Sequence, residues 1–180
     1  MRHVFVVNPD AGWGDPRREV EDRLASYRGD DTVEVHVTAN AQEAAGFIRD
    51  TRASVVGPIR FYACGGDGTL NAVVNAAYGL PDVAVGCYPC GSGNDYVKYY
   101  GGETGFLDLA AQLAAPSVPV DVMQVGDRCA INAVNAGLEA QAAQTMLGLR
   151  HHPVFNGKNG YLAGALDAVI HHMRTPCTVT

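Results

Sequence analysis

The chain has 180 residues, 47% of them hydrophobic, and a formal net charge of −6 at pH 7. That size suits one domain, or one domain and part of another, and the composition supplies a real core. The acidic balance argues against a general nucleic-acid surface, and no apolar run approaches the roughly 20 residues of a membrane span. Taken in order, Val4-Phe5-Val6-Val7 is a continuous apolar run, as in a strand buried on both faces; with Met1-Arg2-His3 before it, it reads as strand rather than signal peptide. It runs into a glycine-bearing turn, Asn8-Pro9-Asp10-Ala11-Gly12-Trp13-Gly14. Asp15 then reads as a helix N-cap with Pro16 at the first helical position, Val20, Leu24 and Tyr27 as the buried stripe, and Gly29 as the stop.

Val33 to Val37 alternates like a strand and is followed by Thr38. Asn40 and Glu43 read as a capping box for a helix with the stripe Ala44, Phe47, Ile48. Gly57-Pro58 breaks the chain. Ile59-Arg60-Phe61-Tyr62-Ala63 then feeds Cys64-Gly65-Gly66-Asp67-Gly68-Thr69-Leu70-Asn71, and Leu70, Val73, Val74 and Ala77 recur at helical spacing until Gly79 and Pro81. Val83 to Tyr88 is another apolar strand, and it delivers Pro89-Cys90-Gly91-Ser92-Gly93-Asn94-Asp95. Phe106, Leu109 and Leu113 give one more helical stripe.

Strand and helix alternate throughout residues 1–115, which predicts a Rossmann-like α/β domain: a mostly parallel sheet with helices on both faces. Character changes at Ala115-Pro116-Ser117. Val118, Val120 and Val122 alternate, Gly126-Asp127 is a hairpin signal, and Cys129 to Val134 answers it. Residues 116–180 therefore read as the start of a β-rich second domain. Its later helix has Tyr161, Leu162, Ala165, Leu166, Val169, Ile170 and Met173 on one face. Thr175 to Thr180 reads as a strand without a partner, so the second domain is expected to be incomplete or completed by another chain, a homodimer included. Cys64, Cys87 and Cys129 lie in apolar runs and read as buried thiols. The Cys87-Tyr88-Pro89-Cys90 spacing reads as structural rather than redox, which fits a reduced, cytoplasmic protein.

Three of these strand ends carry glycine and small polar residues, and open α/β sheets gather ligands beyond the carboxyl ends of their strands. A helix N-terminus there offers unpaired N–H groups and the positive end of the helix dipole to an anion. Glycine lets a phosphate approach without a Cβ in the way. Familiar phosphate loops do not fit. A Walker loop needs Gly-Lys-Ser/Thr, but the only lysines, Lys98 and Lys158, follow no glycine loop, and a dinucleotide loop needs a glycine where Asn71 stands. What remains is a carboxylate, Asp67, among glycines. It suits phosphate chemistry when a cation lies between them, or when it takes a proton from an attacking hydroxyl. Taken alone, Gly-Gly-Asp-Gly reads equally well as a tight turn with a solvated Asp.

Together these residues resemble the diacylglycerol kinase catalytic domain family, the bacterial lipid kinases related to sphingosine kinases and, more distantly, NAD kinases. Asn8-Pro9-Asp10-Ala11-Gly12 is similar to the family's first nucleotide loop, and Thr38 falls where it places a nucleotide-contacting Thr. Gly65 to Asn71 matches its signature loop. Pro89 to Asp95 matches its third loop, with Ser92 in place of Thr; Val120-Asp121-Val122 and Asn135 to Ala140 resemble the opening of its second domain. The resemblance implies ATP-dependent phosphorylation of a lipid hydroxyl with Mg²⁺, in a protein peripheral at the inner membrane surface. It also implies phosphate contacts from the loop amides and hydrogen bonds from Asn8, Pro9, Gly12, Thr38, Gly65, Gly66, Gly68, Thr69, Asn71, Ser92 and Asn94. Asp67 would be the catalytic and metal-holding residue, with Gly93 and Asp95 at the substrate cleft. The sequence departs from the pattern at Ala72, where relatives often have Glu, and the family's usual catalytic acid or base lies beyond position 180. The expectation is thus a lipid kinase whose 180-residue chain transfers phosphate poorly or not at all. The alternatives are a non-catalytic nucleotide-binding module and, more weakly, a NAD kinase-like enzyme.

Other features read as structural. His151-His152 and His171-His172 are adjacent pairs whose side chains diverge on a helix. Trp13 reads at least as well as a packed loop anchor as it does an adenine-stacking ring; Tyr96, Tyr99 and Tyr100 read as a helix packing face before a lipid contact, and Arg17 and Arg18 as a solvated helix face before a phosphate- or membrane-steering pair.

Overall fold

The structure, a computed structural model, describes residues 1–12, 14–148 and 157–171. It forms two compact units, Met1–Asn132 and Ala133–Thr180. The first is built on four parallel strands, β1 (Arg2–Val7), β2 (Thr32–Val37), β3 (Ile59–Gly65) and β4 (Val83–Pro89), in the order β2-β1-β3-β4. The β-rich apolar runs account for this. Every residue of β3 is buried, as its place inside the sheet and under helices on both faces requires.

Helices α1 (Pro16–Leu24), α2 (Ala41–Ser54) and α3 (Asp67–Ala77) link consecutive strands. Alternation along β3 divides the core. Ile59, Phe61 and Ala63 pack with Ile48 of α2 and with Leu70, Val73 and Val74 of α3. Tyr62 and Cys64 pack with Val20 of α1 and with Leu109 and Leu113. The caps form as expected at α1, where the Asp15 carboxylate accepts from Arg18 N at 3.1 Å. At α2 the Asn40 side chain accepts from Gln42 N and Glu43 N, but Glu43 reaches back to Ala39 N because Thr38 Oγ1 already accepts from Asn40 N.

Three expectations change. The single stripe over Phe106, Leu109 and Leu113 is two short helices, α5 (Thr104–Leu107) and α6 (Leu109–Ala114), because the Asp108 carboxylate caps Ala111 N and starts α6 afresh. They follow α4 (Asp95–Tyr99). Residues 118–122 form no strand: Val118 and Val120 are exposed. The hairpin is three residues a side, β5 (Met123–Val125) with β6 (Arg128–Ala130), and it packs within the first unit through buried Cys129.

The second unit holds α7 (Leu138–Gly148) and α8 (Gly157–His171), packed on one another. The large apolar stripe read on one face of α8 is exposed at Leu162, Leu166, Val169 and Ile170. The small face packs instead: Ala168 is fully buried, and a Cβ on Gly164 would lie 2.4 Å from Ala142 O. Helices approach this closely only where one of them lacks a side chain. Met173, Thr175 to Thr180, Trp13, His151, His152 and His172 lie outside the described residues. Among the described residues no helix is long and apolar enough to cross a membrane.

Candidate functional site

The parallel register aligns the strand ends. Val7 lies opposite Val37 and Cys64, and Gly65 opposite Pro89. The chain leaves β1 for β2 on one side and reaches β3 on the other, so the switch point of the sheet falls between β1 and β3. Loop 1 (residues 8–14) and loop 2 (residues 65–71) both start there, at the position where such sheets bind ligands. Backbone bonds carry the ladder past the strands and fix each departure: Asn8 N donates to Cys64 O (3.0 Å), Thr38 N to Val7 O (2.9 Å), and Cys90 N to Gly65 O (3.1 Å).

Close backbone approach then seats loop 3 (residues 89–95) on both others. Gly12 has φ of +70°, and a Cβ there would stand 2.1 Å from Cys90 O. A Cβ on Gly66 would lie 3.2 Å from Gly91 Cα. Glycine is therefore required at Gly12 by conformation and by contact together. Across loops 1 and 2, Asn8 Nδ2 donates to Thr69 Oγ1 at 3.0 Å.

Asp67 ties loop 2 to loop 3. Its Oδ2 accepts from Asp95 N and its Oδ1 from Tyr96 N, each at 3.0 Å. The carboxylate thereby caps α4, which has no cap of its own because Asn94 sits in the left-handed region with φ of +53°. The buried Asn94 side chain holds loop 3 from within. Its Oδ1 accepts from Gly91 N, and its Nδ2 donates to Gly91 O and to Glu103 Oε1. Thr38, also buried, donates from Oγ1 to Asn40 O and accepts Asn40 N.

The α3 N-terminus differs. Gly66 is its N-cap and, among the described residues, no side chain accepts the first-turn N–H groups. A Cβ on Gly68 would meet nothing within 4 Å, so space is open in front of that turn. The arrangement offers unpaired donors and a helix dipole to an anion at the crossing of three loops. No lysine or arginine lies in any of the three loops. Lys98, just beyond, pairs with Asp95 Oδ1 at 2.6 Å.

Of the residues singled out from sequence, Asn8, Gly12, Gly65, Gly66, Asp67, Thr69, Asn94 and Asp95 are brought together in these contacts. Ser92, Gly93 and Pro9 are exposed in the same loops. Asn71 lies one turn into α3, where Asn75 Nδ2 donates to its carbonyl at 2.8 Å. Asn75 escaped the sequence reading, as did Glu103. Asn75 pairs with Cys129 in both directions, donating to its O (2.7 Å) and accepting from its N (2.9 Å), and so fastens the β5–β6 hairpin to α3. Its spacing of four from Asn71 was the available signal; nothing in the sequence links Glu103 to Asn94. Arg17 and Arg18 form exposed pairs with Glu21 and Asp22 one turn on.

Known proteins share this architecture. The solved structure of a diacylglycerol kinase from Bacillus anthracis strain Sterne superimposes with a TM-score of 0.58 at 22% identity, over 82% of this chain and 53% of that one, which speaks to the fold. Over 142 residues the chain is 33% identical to a Citrobacter koseri protein named probable lipid kinase YegS-like, covering 74% of this chain and 45% of the relative. The namesake from Shewanella frigidimarina is 31% identical over 116 residues, or 61% of this chain and 37% of the relative. The chain thus spans less than half the length of these curated relatives. A family model described as the diacylglycerol kinase catalytic domain matches residues 2–125. With that match over most of the chain and a sheet of the same architecture beneath it, the chain belongs to the diacylglycerol kinase catalytic domain family.

Proposed function

We propose that the three-loop junction holds the polyphosphate of ATP, and that the chain is the nucleotide-binding part of a lipid kinase transferring the γ-phosphate to a lipid hydroxyl. The observation that carries this reading is the uncapped first turn of α3, open in front of Gly68, where loops 1, 2 and 3 meet. Phosphoryl transfer asks for placement and charge neutralisation more than covalent help from the protein. The α3 amides place the phosphates, and Asn8, Thr69 and Asn94 keep the loops in register through the bonds described above.

No basic residue lies in the loops and Lys98 is already paired with Asp95, so beside the α3 dipole a bound cation is the further source of positive charge. Mg²⁺ is commonly held by one or two carboxylates plus substrate phosphates rather than by a protein cage. The donors here fit that habit. Asp67 supplies one carboxylate at the junction and Asp95, whose Oδ1 pairs with Lys98, a second beside it at Gly93. A carboxylate has about four lone-pair sites, and Asp67 uses two of them on α4, leaving two for the cation or for the proton of the lipid hydroxyl. When bound, Mg²⁺ supplies charge neutralisation between phosphate oxygens.

Residues 116–180 are proposed as the opening of the lipid-binding domain, and Gly93 and Asp95 as residues that meet the lipid substrate. Calorimetry with Mg·ATP tests nucleotide binding, and transfer of radiolabelled phosphate from ATP into extracted lipids tests the kinase. Binding without transfer by the 180-residue chain supports the nucleotide-binding module. Absence of binding overturns both readings.

A further inference from the structure

A cavity of about 660 Å³ wraps around the edge strand β4, and none of the residues of loops 1 to 3 lines it. It is a groove open to solvent, and its volume falls in the roughly 300–1,000 Å³ range of small-molecule sites. Its walls are mostly hydrocarbon: Val74, Ala77, Leu80, Val83, Val85 and Phe106 contribute.

One wall carries a cation. Arg60 is only 7% exposed, yet its three hydrogen-bond acceptors are all neutral. Nη1 donates to Gln112 O at 2.9 Å and to Tyr62 Oη at 3.4 Å; Nη2 donates to Ser117 Oγ at 2.9 Å. Among the described residues no carboxylate pairs with it. A guanidinium removed from water without a counter-charge is unfavourable, and one buried charge is normally matched by another. Ser117, which accepts from Arg60, is exposed at the mouth of the groove, and its hydroxyl proton is free to turn toward a ligand there.

We propose that this cavity is a binding site for a single-chain amphiphile with a carboxylate head, that is, a fatty acid. The carboxylate pairs with Arg60 and receives the Ser117 hydroxyl, while the chain lies against β4 and α3. The head is a carboxylate because one guanidinium neutralises one negative charge. A phosphate monoester would leave a second charge in the same apolar surroundings.

The test is calorimetry on the 180-residue chain with lauric acid, its methyl ester and dodecyl phosphate, below their aggregation thresholds and without nucleotide. Failure of the kinase reading therefore leaves this result untouched. Lauric acid is expected to saturate at one per chain and to bind at least tenfold more tightly than the ester or the phosphate. Arg60→Met should weaken the acid at least tenfold and leave the ester unchanged. Ser117→Asp places a carboxylate beside Arg60 at a solvent-accessible position, so it keeps the test alive if Arg60→Met fails to fold. It should raise the melting temperature and abolish acid binding. No saturable binding, equal binding of acid and ester, tighter binding of the phosphate, or undiminished acid binding by Ser117→Asp would each overturn the proposal.

Discussion

A methyl group built on Gly91 would stand 2.3 Å from the Cα of Gly66, so loops 2 and 3 touch backbone to backbone. Neither partner can yield by turning a side chain. Gly91→Ala is therefore expected to part the loops and destabilise the first unit by about 1–3 kcal/mol, the usual range for overpacking. Gly68→Ala is the matched control. Its methyl meets nothing, and alanine favours helix over glycine by up to about 1 kcal/mol, so stability should hold or rise. Nucleotide affinity should fall in both variants. Thermal melts with parallel Mg·ATP titrations separate the two effects, and unimpaired binding by both variants would remove the phosphate from this junction.

Asp67→Asn replaces a carboxylate with a single-oxygen acceptor. One of the two N–H groups, from Asp95 or Tyr96, then loses its partner. The expected loss is about 1 kcal/mol, as for removing an N-cap, confined to α4. Amide hydrogen exchange across residues 95–99 should accelerate while that of β3 stays unchanged. Unchanged protection of α4 would mean that the carboxylate does not anchor it.

Asn75→Leu keeps the size of the side chain but removes its bonds to Cys129 and Asn71. Buried polar groups left without partners cost about 1–3 kcal/mol. Limited proteolysis near Gly126-Asp127 should become faster than in the parent chain. A digest identical to the parent would show that the hairpin is held by apolar packing alone.

His3 is fully buried at the end of the sheet opposite the loops, with Nδ1 3.0 Å from Tyr62 Oη and Nε2 3.4 Å from Asp31. Both contacts are satisfied by a neutral ring that accepts from Tyr62 and donates to Asp31. Burial outweighs the pull of Asp31 and holds its pKa below the ordinary 6.5. The unfolded chain thus takes up a proton that the folded chain refuses, and stability falls as the pH drops below about 6.5. Urea midpoints measured from about pH 7.5 to 5.5 should decline, and His3→Gln should flatten that decline. An equal slope in parent and variant would place the titrating group elsewhere.

Cys90, on loop 3, has its thiol pushed from 9.0 to about 11, first by burial and then by the Glu19 carboxylate. Only the thiolate reacts, so a two-unit rise predicts alkylation roughly 100-fold slower than for a free thiol near neutral pH. Cys87, pushed to about 12 mainly by burial, should be slower still. Mass spectrometry after timed iodoacetamide exposure reads both sites, and rapid labelling of Cys90 in the folded chain contradicts the burial argument.

Much of the first unit was legible from local chemistry. Val4 to Val7 and Ile59 to Ala63 read as buried strand, Asp15-Pro16 as the opening of a helix, and the convergence of three glycine-rich strand ends as a site. These signals are short-range: they depend on residues within a few positions of one another, which is why period and punctuation suffice to read them. The partners of the site residues were not legible in the same way. Asp67 looked like a bare carboxylate awaiting a cation, and the fold gave it the amides of Asp95 and Tyr96, residues 28 and 29 positions away. Asn94 and Thr38 looked like ligand donors, and their side chains hold the loops.

The same limit explains α8. The sequence marks a broad apolar stripe but not which face a neighbouring helix meets, and the absence of a side chain at Gly164 decided that contact. Arg60 reads as one polar residue in an apolar strand, and only the fold buries it beside a cavity, paired with no carboxylate among the described residues. Sequence by itself determined the strands of the parallel sheet, the helices between them, their order and the chemistry at the strand ends, because these follow from propensity and periodicity. Tertiary structure alone decided which groups are already partnered and which remain open, because that depends on distances between residues far apart in the chain.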